Sequence, residues 1–247
     1  MTNRFIAYIT FEAKTALKIG SKNADFLQDS PIQKDWNGLP MILGTSLTGV
    51  LRKEFEDEIA KNIFGTGDLG SKTIISNALI LNEKKEVTES LLLDSKKSDF
   101  LQKFIVLPIR EHNAMNDKGV TKDTGKFDEE VIYKGTRFKF SIEMLNENEE
   151  DKNNFLQLLD LLSKDSFRIG AGSSKGFGQI KVIEITYDEF DLKMNGLVGY
   201  FDKTQFLNKK VDDVKPYTEY FYNWGVVSVY SDLSLNIYFS VRWREEC

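Results

Sequence analysis

The chain has one cysteine, Cys247, and it is the last residue. A lone thiol makes no disulfide within the chain and no cysteine-based zinc site. There is also one histidine, His112. That all but excludes a histidine-based triad and rules against metal sites built from several imidazoles. Catalysis, if there is any, falls to carboxylates, lysines or a reactive group of the ligand itself. No apolar run approaches the roughly 18 residues that a membrane span needs. The alternating N-terminus, Met1 to Thr10, has no cleavable signal pattern. The expectation is a cytoplasmic protein with no membrane partner. With 33 basic against 38 acidic residues, the net charge of −5 argues against a free-standing basic nucleic-acid binder. The charge is segregated, however. Acids gather at Glu54 to Glu58, Glu147 to Asp151 and Asp188 to Asp191, and lysines between 118 and 126. A local basic groove is compatible with that pattern.

What the chain does have is a glycine-rich run, Arg168-Ile169-Gly170-Ala171-Gly172-Ser173-Ser174-Lys175-Gly176-Phe177-Gly178. Glycine tolerates positive φ and lets a ligand approach bare N–H groups. Two hydroxyls and an ammonium add donors, and no acid lies among them, so a polyanion is the natural ligand. A plain turn is the competing reading. The spacing is not that of a nucleotide loop. Lys175 precedes Gly176 instead of following it, and no helix-forming stretch follows.

Alternation predicts strands over 4–12, 74–81, 104–109, 136–144 and 179–185. Helical spacing runs from Val50 through Leu51, Phe55, Ile59 and Ile63 to Phe64, with Thr45 or Ser46 as N-cap and Gly65 as the stop. A second helix covers Phe155 to Leu162. Residues 20–40 and 110–130 are polar and read as long loops, which are uncommon unless they work or are disordered. The resulting order suits an α+β fold on the ferredoxin-like split βαβ plan, two helices on one face of an antiparallel sheet. Residues 1–186 form this core. Residues 187–247 read as a β-rich, aromatic-rich extension, with strands over 225–230 and 234–243.

Four segments, taken in order, carry a resemblance. They are Leu17-Lys18-Ile19-Gly20, Leu39-Pro40 through Gly44-Thr45-Ser46-Leu47-Thr48-Gly49 to Arg52, Glu129-Glu130 through Gly135 to Phe138, and Ile169 to Gly178. Together they resemble the RAMP superfamily of CRISPR effector subunits, most of all the repeated backbone subunit of type III complexes. The resemblance covers about residues 4 to 185.

It implies a ferredoxin-like core with a thumb-like insertion, copies of the chain stacked in a filament on a guide RNA (crRNA), and contacts with other effector subunits. Base pairing between guide and target RNA then supplies sequence specificity. The family's aspartate in the first loop maps to Asp29 of Asp29-Ser30-Pro31, with Asp25 and Asp35 as neighbours. It implies catalysis there with Mg²⁺ or another divalent metal. An ordinary turn-forming aspartate is the alternative. RNA contacts are implied at Ser46, Thr48 and Arg52, at Gly172, Ser173, Ser174 and Lys175, and in the thumb at Arg110, His112, Lys118, Lys122 and Lys126. Met115 stands where the family places an apolar wedge. Simple N-capping competes at Ser46, and an ion pair with Glu56 competes at Arg52. Two other roles stay open: a non-catalytic RAMP subunit that caps the filament, and a guide-processing endoribonuclease with His112 as its only histidine.

Overall fold

The computed structural model describes residues 3–20, 31–93, 97–115, 121–190 and 208–211, and the backbone alone at 112–115, 121–127 and 208–211. Strand β1 (Asn3–Ala13) is the spine of the fold. Its residues Phe5, Ala7, Ile9, Phe11 and Ala13 alternate along the strand and are all buried in the core, as a period of two requires. It pairs antiparallel with β7 (Arg137–Asn146) on one side and β8 (Ile180–Phe190) on the other, with a register shift at Thr10/Phe11 on the β8 side. With β2 (Met41–Ile42), β4 (Ala78–Ile80) and β9 (Asn208–Val211), the strand order is β2-β4-β7-β1-β8-β9, and β3 (Thr73–Ile75) also pairs with β7.

The run expected as one strand over 74–81 is thus two short strands. Ser76 and Asn77 interrupt it. The Ser76 amide donates to the Ser141 carbonyl at 3.0 Å, and the Ser141 amide donates to Ser76 Oγ at 2.9 Å, which keeps the seam closed.

The helical stretch after residue 43 also divides, into α1 (Gly44–Arg52) and α2 (Asp57–Phe64). Gly44 opens α1 because it lies against the Ile75 carbonyl, where a Cβ would collide. Its amide donates to Asn77 Oδ1 at 2.9 Å. The N-cap position therefore belongs to Leu43, and the expected capping by Thr45 or Ser46 does not occur. Gly65, at φ 74°, ends α2 as expected.

After a short helix, α3 (Asp99–Gln102), capped by Ser98, the run 104–109 is not the expected strand. Phe104 is fully buried and packs on Phe100 and Tyr133, while Val106 is 79% exposed. Aromatic anchoring of a turn wins over strand propensity there. The expected loop over 110–130 is instead a hairpin, β5 (Ile109–Met115) paired with β6 (Thr121–Glu130) as a separate two-stranded sheet.

Helix α4 (Glu149–Leu162) covers the core face of the sheet with Phe155, Leu158, Leu159 and Leu162, and Phe155 stacks on Phe5. Asn148 Oδ1 caps it by accepting from the Asp151 amide at 2.9 Å. Three acids in the first turn suit the positive end of the helix dipole. Asp151 is fully buried and receives Lys72 Nζ at 3.1 and 3.2 Å, and Glu147 pairs with the same ammonium at 3.0 Å.

Burial alone would lower the Lys72 pKa. The hydrogen bonds and charges of Glu147 and Asp151 outweigh it and hold the pKa above the ordinary lysine value. Lys72→Met is therefore expected to destabilise the protein by about 3 kcal/mol, because it leaves a buried carboxylate without its ammonium. Urea unfolding checks this. The wild-type advantage is complete below the ordinary lysine pKa and falls as pH rises through the raised one.

Among the described residues no helix is long and apolar enough to cross a membrane.

Candidate nucleic-acid interface

The glycine-rich run lies between α4 and β8 and is folded on itself. A single 3-10 turn, Ser173–Lys175, sits between Gly172 and Gly176, both in the left-handed region. Gly170 and Gly178 are at positive φ as well. The loop is less of an open cradle than its composition suggests. The amides of Lys175 and Phe177 donate to the Gly172 carbonyl at 2.8 and 3.2 Å, and that of Gly176 to Ser173 at 3.1 Å. The amides of Ala171 and Gly178 reach out to the carbonyls of Lys18 and Ala16 at 2.9 and 3.0 Å. These bonds dock the loop on the segment that follows β1. What the loop presents to solvent is the turn itself: Ser173, Ser174 and Lys175 are all exposed.

Beneath that turn Phe177 is buried, and the Arg110 guanidinium lies 4.9 Å from the centre of its ring. This is cation–π distance. The arginine comes from the first residues of β5, so the structure joins the hairpin to the glycine loop. The base of β6 is held as well. Glu129 pairs with Lys18, and both side chains are largely buried. Glu130 Oε1 accepts from Lys34 Nζ at 2.9 Å, and its Oε2 accepts from the Ile32 amide at 2.8 Å. Lys34 Nζ also donates to the Ile105 carbonyl at 3.2 Å. In the sequence, Glu129 and Glu130 stand out only as part of the RAMP-like segment 129–138. Their partners stand about a hundred residues away, and no local pattern points to them.

The other expected contacts are scattered. Ser46 is exposed in the first turn of α1. Thr48 Oγ1 donates to the Gly44 carbonyl at 2.8 Å, a bond within the helix. Arg52 Nη1 donates to the Gly65 carbonyl at 2.8 Å and so closes the end of α2, in place of the considered pair with Glu56. Strands β4, β7 and β1 lie between β2, which leads into α1, and β8, which leaves the glycine loop. The two segments thus join strands that three others separate in the sheet. His112, Lys122, Lys126 and Met115 fall on the hairpin strands, with His112 opposite Phe127, Asn113 opposite Lys126 and Met115 opposite Thr121.

Lys118, Asp25 and Asp29 lie outside the described residues, as do the strands expected at 225–230 and 234–243. Asp35 is a turn-former: its Oδ1 accepts from the amides of Asn37 and Leu39 at 2.8 and 2.9 Å. Among the described residues no three acids, histidines or cysteines cluster so as to hold a metal ion.

Residues 10–181, well over half of the chain, match the model of the RAMP superfamily. The chain belongs to that superfamily. Its fold is also similar to that of chains in two solved assemblies. One is from a cryo-EM structure of the type III-B Cmr-beta complex bound to cognate target RNA, at 17% identity and a TM-score of 0.54, covering 74% of this chain and 60% of that one. The other is from the apo state of type III-B Cmr-beta, at 14% identity and a TM-score of 0.53, covering 72% of this chain and 96% of that one. The chain thus spans about three fifths of the first relative's length. At these identities the likeness is one of fold. No curated protein matches the sequence.

Proposed function

We propose that this protein is a subunit of a type III CRISPR RNA-guided effector complex, one that holds the guide RNA along its backbone and cleaves bound target RNA. Superfamily membership over residues 10–181 carries this reading. The order of elements supports it: strand β1, helices α1 and α2, strands β3, β4 and β7, helix α4, then strand β8 form a ferredoxin-like core. On it the β5–β6 hairpin is the thumb.

Ser173, Ser174 and Lys175 form an exposed, cationic turn suited to the phosphates of the guide, with Ser46 at the start of α1 as a further contact. Arg110 reaches the base of that turn from the thumb. Copies of the chain stack along the guide beside other effector subunits. A single carboxylate such as Asp29 suits Mg²⁺, which keeps most of its waters and binds through one or two carboxylates plus phosphate oxygens. Asp29 would hold such an ion, whose chemistry would be to offset charge developing on the scissile phosphate.

Asp29→Ala in the assembled complex is expected to slow target cleavage by about two orders of magnitude, the equivalent of roughly 3 kcal/mol, with guide loading intact. Cleavage of labelled target RNA and sequencing of the co-purified guide measure the two quantities. Unchanged cleavage removes the catalytic assignment and leaves a subunit that binds without cutting, at the end of the filament. Loss of precursor cleavage by the isolated protein on His112→Ala would instead identify a guide-processing enzyme.

A further inference from the structure

The hairpin is fastened to the rest of the fold at its base from both strands, and β6 is held at two neighbouring residues, with Glu130 on Lys34 and Ile32 as described above. From β5, Arg110 lies over Phe177 of the glycine loop. From β6, Glu129 pairs with Lys18, and the Lys18 carbonyl accepts from the Ala171 amide of the same loop at 2.9 Å. Lys18 is thus a two-sided joint: its backbone holds the loop and its side chain holds the hairpin. The side chains of Lys18 and Glu129 are 16% and 6% exposed, so neither is placed to meet a polyanion directly. A buried ion pair adds little net stability over an apolar pair.

We infer that Lys18 and Glu129 are positioning residues that set the hairpin at a fixed angle to the glycine loop, so that one single-stranded RNA segment meets both as a preformed surface. The identity of the ligand rests on the RNA-guided reading above. The joint itself does not.

The two parts separate experimentally. In the full chain with Cys247→Ser, nitroxide labels at Thr121→Cys on the hairpin and Lys164→Cys beyond α4 report the hairpin's position by pulsed electron resonance. Their distance distribution should be narrow, and Glu129→Gln should broaden it. The same substitution, without labels, should weaken binding of a single-stranded RNA about tenfold, the cost of ordering a surface no longer preformed. Removing a negative charge beside an RNA would by itself strengthen binding. Weaker binding on Glu129→Gln therefore reports position, and tighter or unchanged binding with a narrow distribution overturns the inference.

A broadened distribution in a chain that binds no RNA at all would uphold the joint and remove the RNA reading instead. Lys18→Met serves where Glu129→Gln does not fold. It should weaken binding without changing the slope of affinity against salt. A slope reduced by about 0.7, one phosphate's worth for a single strand, would mean that Lys18 itself touches RNA and would overturn its positioning role.

Discussion

Gly170→Ala should destabilise the protein by roughly 2–5 kcal/mol, and Gly176→Ala, six residues on in the same loop, by only about 1–2 kcal/mol. Both glycines sit at nearly the same positive φ, +86° and +85°. An L-residue is strained there by about 1–2 kcal/mol. The difference lies in what surrounds them. A Cβ at Gly176 meets nothing within 4 Å. One at Gly170 collides with the Lys18 carbonyl and comes within 2.7 Å of Ile19 Cδ1. The carbonyl cannot yield, because it accepts the Ala171 amide that docks the loop. Overpacking of that kind costs typically 1–3 kcal/mol more. In a chain of this size each kcal/mol moves the melting temperature by about 2–4 °C, so calorimetry on the two variants separates them. Equal losses would mean that the loop is not docked on Lys18. Because Gly176 borders the exposed turn, its variant should stay folded and is the better one in which to measure RNA affinity.

The turn itself was legible in the sequence, from four glycines within nine residues, and its mechanics were not. The commitment of its amides to Ala16, Lys18 and its own carbonyls depends on partners some 150 residues distant. The same division runs through the fold. Strands β1, β7 and β8 and helix α4 announce themselves, because each carries an apolar face that repeats with its own period. The break between α1 and α2 hides behind that logic: Leu51, Phe55 and Ile63 remain buried on both sides of it, so the apolar spacing survives where the helix does not. In the run 104–109, dense apolar residues suggested a strand, yet only Phe104 and Leu107 are fully within the core, with Ile105 packed at its margin. The hairpin was missed for the opposite reason. Ile109–Met115 and Thr121–Glu130 are polar, and their pairing is a two-stranded ladder outside the main sheet, with no apolar face to alternate. Arg110 was expected at RNA; its place over Phe177 is a tertiary contact that no spacing encodes.

The second large effect is expected at Arg137. Its Nε lies 2.9 Å from Glu12 Oε2 across the β1–β7 ladder, where the two residues are direct partners, and their side chains are 3% and 8% exposed. Glu12 alternates with Phe11 and Ala13 of the core, so the pair belongs to the other face of the sheet. Arg137→Met leaves the Glu12 carboxylate buried without that guanidinium and should cost roughly 3–5 kcal/mol. Replacing both residues, Glu12→Leu with Arg137→Met, removes the stranded charge and should recover much of the loss, since well-packed apolar pairs often match buried ion pairs. Urea unfolding of the two single variants and the double variant closes the cycle. A coupling energy of about 2 kcal/mol or more is expected for a network of this kind, and additive losses would sink the assignment. The location gives the pair functional weight. Glu12 is opposite Lys181 of β8, and Ala13 is opposite Ile180, the first residue of that strand after the glycine loop. The amides of Lys14 and Thr15 donate to the Gln179 carbonyl at 2.8 and 3.2 Å. Loosening β1 from β7 at this end therefore loosens the seat of the loop. Amide exchange at Gly178 and Gln179 should rise in Arg137→Met before exchange rises at the Asn3 end of β1.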